Sequence, residues 1–89
     1  MSVRVALLEQ RLRAALAPSE LQIIDDSAAH AGHAGARSGG GHFNLLIVSD
    51  TFVGQSRLQR HRLVYQAVGD LMEHEIHALS IRALAPDEL

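Results

Sequence analysis

"HFNLLIVSD", residues 42 to 50, decides the fold. Phe43, Leu45 and Ile47 form one alternating set and Leu46 and Val48 the other, so the stretch is apolar on both faces. That pattern predicts a central strand, flanked on both sides. Upstream, "HAGHAGARSGGGH", residues 30 to 42, sets His30, His33 and His42 among Gly, Ala and Ser. Such a run builds little regular structure, and residues 28–41 read as a mobile Gly-rich loop. Before it, Leu21, Ile23 and Ile24 form a short apolar run closed by Asp25, Asp26 and Ser27. Two strands joined by a flexible connection are most simply an antiparallel hairpin. Earlier still, Val5, Leu8, Leu12, Ala15 and Leu16 recur at helical spacing, with Ser2 as N-cap and Pro18 as the stop.

Downstream, a turn at "DTFVG" brings Ser56 to the start of a helix. His61, Val64, Tyr65, Val68, Leu71 and Met72 share one of its faces, and the helix is expected to run to about His74 with Gly69 tolerated inside it. "IHALSI", residues 76 to 81, returns to period two as a third strand. Reaching it through a helix implies a parallel, right-handed crossover. The expected order is α-β-β-α-β: an α/β (α+β) fold with a three-stranded mixed sheet and helices packed on it, in one domain covering residues 1–89.

With 89 residues the core is small, since a chain of this size buries only about 60 to 65% of the surface exposed on unfolding. Apolar residues at 47% and charged residues at 20% are ordinary for a globular fold. No run approaches a membrane span and the N-terminus lacks a continuous apolar core, so a cytoplasmic location without membrane contact is expected. Cysteine is absent, which removes disulfides and any self-contained thiolate site. A formal charge of −2 does not favour polyanions, and Phe43, Phe52 and Tyr65 are too few for a base-stacking platform. Nucleic-acid binding would need a local patch, which "RLQRHR", residues 57 to 62, offers as Arg57, Arg60, His61 and Arg62 on one helix. The plainer reading is a solvated surface paired to acids such as Asp50 and Asp70.

The histidines invite a metal reading. His30 with His33, and His74 with His77, each make an H-x-x-H pair. One pair lies in a loop and the other straddles a helix end, and no Glu is placed as a general base, which argues against catalytic zinc. On composition alone His30 and His33 fit a solvated loop, and His77 fits either a half-exposed strand position or a ligand at a sheet end. Neither a nucleophile elbow nor a phosphate-cradling Gly pattern is present, so no enzyme is expected.

Taken together, "FVGQSRLQRHRLVYQAV", "GHFNLLIVSD" and "IHALSI" resemble the BolA family over nearly the whole chain. Phe52, Gly54, Arg60, His61, Arg62 and Val64 meet its helix pattern. The resemblance implies a fold like a class II KH domain, although "FVGQS" stands where a KH domain carries its Gly-x-x-Gly clamp. It also implies a partner, a monothiol glutaredoxin with a Cys-Gly-Phe-Ser active site, with which a bridged [2Fe-2S] cluster is shared in iron homeostasis or cluster trafficking. The family's invariant ligand histidine falls on His77. Its second ligand, His or Cys by subtype, falls in the first interstrand loop and is here of the His type. "DDSAAH" favours His30, whereas spacing back from His42 favours His33.

In such an arrangement the glutaredoxin and glutathione supply sulfur and this chain supplies imidazole, which makes ligation sensitive to protonation. Some bacterial members of the family are DNA-binding transcriptional regulators. That alternative implies DNA contacts by Arg57, Arg60, His61 and Arg62. A homodimer is compatible with either role.

Overall fold

The computed structural model describes residues 3–26, 41–74 and 76–89, with Glu73, His74 and His77 described by their backbone only. Helix α1 (Val3–Leu16) is followed by strands β1 (Glu20–Asp25) and β2 (Gly41–Val48) and a 3-10 turn at Asp50–Phe52. Helix α2 (Arg57–Val68), the single turn α3 (Leu71–His74), strand β3 (Ile76–Leu84) and a second 3-10 turn (Pro86–Glu88) complete the order. β2 lies in the middle of the sheet, antiparallel to β1 from Glu20↔Val48 to Asp25↔Phe43 and parallel to β3. The mixed three-stranded sheet expected from the sequence is therefore present, with β2 central as its apolar pattern requires. Most of the segment expected to be a mobile loop lies outside the described residues, and Gly41 at its end is already the first residue of β2.

The core forms on one face of the sheet. Leu8, Leu12 and Leu16 of α1, spaced four apart, meet Phe43, Leu45 and Ile47 of β2, Val64 and Val68 of α2, and Phe52, Leu71 and Ile76. Gln22, Ile24, Asn44, Ser80 and Arg82 are exposed on the other face, around the half-buried Leu46. Of the second apolar set of β2, Leu46 is half-buried and Val48 fully buried.

Two expectations are corrected. The helix does not continue to His74 as one piece: Gly69 adopts φ 52° and ψ −127°, donates its N–H to the Tyr65 carbonyl, and ends α2 at Val68. A left-handed residue cannot carry the helical path onward, so Gly69 acts as a stop and α3 starts anew at Leu71. Arg11 Nη1 fixes the break from α1 by donating to the Val68 carbonyl at 3.3 Å and to Asp70 Oδ1 at 3.2 Å. The third strand is also longer than its period-two pattern, reaching Leu84.

Ser49 holds the far end of the sheet. It is 1% exposed, and its Oγ donates to the Leu16 carbonyl at 2.6 Å while accepting from Thr51 N at 3.1 Å. The first bond satisfies one of the carbonyls that a helix C-terminus leaves without an intrahelical partner. The second caps the 3-10 turn. Replacing Ser49 by Ala strands a buried carbonyl and is expected to destabilise the fold by about 1–3 kcal/mol. Urea denaturation should show this as a lower midpoint with an unchanged slope.

Candidate functional site

Two polar regions lie at opposite ends of the sheet. At the end where β2 begins, Gly41 pairs with Ile76, but the next residue, His42, pairs with Ala78. His77 is therefore the extra residue of a β-bulge, in a parallel ladder where bulges are rare. A bulge bends its strand and breaks the regular pairing, so the β3 backbone at His77 departs from the even ladder that "IHALSI" suggests. Beside it, Asp26, His42, Phe43, Asn44, Ala78 and Ser80 line a cleft of about 190 Å³. Asp26 N donates to the His42 carbonyl at 2.8 Å, extending the β1–β2 ladder past Asp25, and Asn44 Nδ2 lies 3.5 Å from Asp26 Oδ2. His42 is half-buried, with Nε2 screened from solvent.

His30 and His33, the two candidates for a loop ligand, lie outside the described residues. Among the described residues, no three His, Cys, Asp or Glu side chains come together as a metal site. Sequence reasoning missed that Asp26, Asn44 and Ser80 line one cleft at this end of the sheet, because only the pairing register brings these strands side by side.

At the other end, the approach to α2 is built by local rules. Gln55 N donates to the Phe52 carbonyl at 3.1 Å, with Val53 at φ −60° and ψ 127° and Gly54 at φ 75°. These angles make a type II turn, whose third position favours glycine. Ser56 and Gln59 then form a reciprocal capping box at 3.1 and 2.8 Å. Arg60 follows on the first turns of the helix, its side chain 12% exposed.

Four of the five N–H donors of the Arg60 guanidinium are engaged. Nε donates to the Gln55 carbonyl at 2.9 Å, Nη1 to the Ala83 carbonyl at 3.1 Å, and Nη1 and Nη2 to the two carboxylate oxygens of Glu88 at 2.5 and 3.0 Å. Glu88 Oε1 also accepts from Ala85 N at 2.7 Å. The bond from Arg60, supported by that from Ala85, holds the Glu88 carboxyl down at about 2, and Glu88 in turn raises the Arg60 guanidinium further.

The expected acidic partners are thus corrected: Asp70 bonds Arg11, and Arg60 is met by Glu88. Arg57, Arg60 and His61 line a groove of about 420 Å³ with Gln55, Ile81, Arg82, Ala83, Leu84 and Glu88. Arg62 is exposed and does not line it, so the Arg-His-Arg triplet is divided by the helical turn.

A family model described as "BolA-like protein" matches residues 12–88. The chain is 45% identical over 92% of its length to SufE-like protein 1, chloroplastic/mitochondrial, of Arabidopsis thaliana, and spans only 24% of that relative. It is 38% identical over 83% of its length to the DNA-binding transcriptional regulator BolA of Escherichia coli K12, of which it covers 68%. The solved BolA domain of SufE1 from Arabidopsis thaliana superposes with a TM-score of 0.87 at 42% identity, covering 100% of this chain and 99% of the other.

Because the Glu88 carboxyl is depressed below its ordinary value of 4.5, its contribution to stability is complete above pH about 4.5 and fades as pH falls through about 2. Wild type should be more stable than Glu88→Gln at pH 6, with the difference vanishing near pH 2. Parallel denaturant titrations across that range check this.

Proposed function

The chain belongs to the BolA family, and from that premise we propose that it pairs with a monothiol glutaredoxin to share a [2Fe-2S] cluster in iron homeostasis or cluster trafficking. The observation that carries this reading is the bulge at His77. It sets that residue out of register at the sheet end where the chain re-enters β2 at Gly41, one strand away. Neighbouring strands lie about 4.8 Å apart, so Gly41, where the segment carrying His30 and His33 ends, is about one such spacing from the β3 backbone beside His77. His77 and either His30 or His33 are the proposed ligands.

The donor chemistry fits. A cysteine-free chain offers no thiolate donor, so thiolates must come from the glutaredoxin and glutathione. A [2Fe-2S] cluster held partly by imidazole supplies one-electron chemistry at a potential higher than that of an all-thiolate cluster. The protein's own contribution is to present neutral imidazoles, which ties binding to pH: protonation below the usual histidine range removes the donor. Asp26, Asn44 and Ser80 offer polar groups beside the site that can orient a ring or a bound water.

The second reading, a DNA-binding regulator, draws on the name of the Escherichia coli relative and on the arginines of α2. The geometry supports it less. Arg60 is committed to Glu88 and two carbonyls, which leaves Arg57 and Arg62 on that helix for phosphates, on a chain of net charge −2.

Anaerobic reconstitution with a monothiol glutaredoxin, glutathione, iron and sulfide tests the main reading through visible circular dichroism. His77→Ala should abolish the signal of the mixed species, as should one of His30→Ala and His33→Ala, with far-UV spectra unchanged. Retention of the wild-type signal by all three variants would overturn the assignment.

A further inference from the structure

We propose that the groove between α2 and the outer edge of β3 takes an extended, acidic segment of a partner protein, added to the sheet as a fourth strand. Among the described residues β3 pairs only with β2, so its other edge carries no strand. The phase of that edge follows from one bond: the Leu84 carbonyl accepts from Ser49 N, at the end of β2. In a parallel ladder successive residues aim their backbone groups to opposite sides, so Leu79, Ile81 and Ala83 turn theirs outward. The Ala83 carbonyl confirms the phase, because it accepts from Arg60 Nη1 and not from a strand. Outward N–H and C=O groups in a row are a template for a further strand.

Charge selects the occupant. The groove wall holds Arg57, Arg60, Arg82 and His61 against one carboxylate, Glu88. That carboxylate sits in the Arg60 fork as an internal counterpart of the group an acidic segment would bring. A second copy of this chain would set arginines against arginines along the same edge. A nucleic acid cannot continue a main-chain ladder and would find no Phe, Tyr or Trp among the lining residues. An extended peptide with alternating acidic side chains satisfies both the edge and the arginines. The arginine-lined end of this edge, at Ala83, lies six residues along β3 from His77, roughly 20 Å, and the titration below uses the chain without any cluster, so its outcome does not depend on the cluster reading.

The probe is an acetylated, amidated hexapeptide alternating threonine and glutamate, titrated into the full ¹⁵N-labelled chain. Amide shifts and exchange protection should concentrate at Leu79, Ile81 and Ala83. Arg57→Ala combined with Arg82→Ala should weaken binding about fivefold or more, the scale of two partly screened charges. Glu88→Gln should tighten binding by freeing the Arg60 fork. Should that variant lose the C-terminal turn by far-UV or amide criteria, the surface pair Arg57 and Arg82 carries the test. N-methylation of alternate peptide amides should abolish binding. The proposal fails if the β3 amides stay unmoved, if the N-methylated peptide binds equally well, or if an oligothymidylate binds the same amides more tightly than the peptide does.

Discussion

Ser49 stands where three segments meet: its hydroxyl holds the last carbonyl of α1, its N–H reaches the Leu84 carbonyl of β3, and the same oxygen caps the turn leaving β2. Fully buried, it has no water to replace any of these bonds, so the helix end, the sheet end and the turn into α2 are fixed relative to one another. The apolar contacts of Leu16, Ile47 and Phe52 close around this point. Without it, α1 has no polar anchor on the sheet here and the approach to α2 loses its start.

From that fixed end the two polar regions diverge. At the β2 entry, regular pairing is broken by a single residue, His77, next to a cleft bearing Asp26, Asn44 and Ser80. The pairing is regular from His42 onward, so the irregularity is confined to the sheet end where β2 begins. At the β2 exit the opposite holds. The type II turn, capping box and Arg60 network satisfy nearly every local donor, and what stays available is the backbone edge of β3 with the arginines around it.

Arg60 illustrates why residue type alone misleads. In sequence it belongs to a basic cluster with Arg57 and Arg62; in space it is a structural clamp joining the turn before α2, the end of β3 and the turn at Pro86–Glu88. Being part of a cationic run therefore says little about availability to a ligand. Glu88, 28 positions away, could not be picked as its partner from spacing, since nothing local links them.

The sequence by itself determined the element order, the central position of "HFNLLIVSD", the Ser56 cap and the apolar line of α1, because each depends on periodicity or local hydrogen bonding within a few residues. It misjudged Gly69, whose positive φ ends a helix that composition would have allowed to continue. It named His77 and the loop histidines through a family resemblance, while His30 and His33 lie outside the described residues. Only the tertiary structure decided the bulge at His77, the Arg60–Glu88 clamp and the outward phase of the β3 edge. Each of these is a pairing between segments far apart in the chain, and a pairing register depends on how strands and helices meet in space.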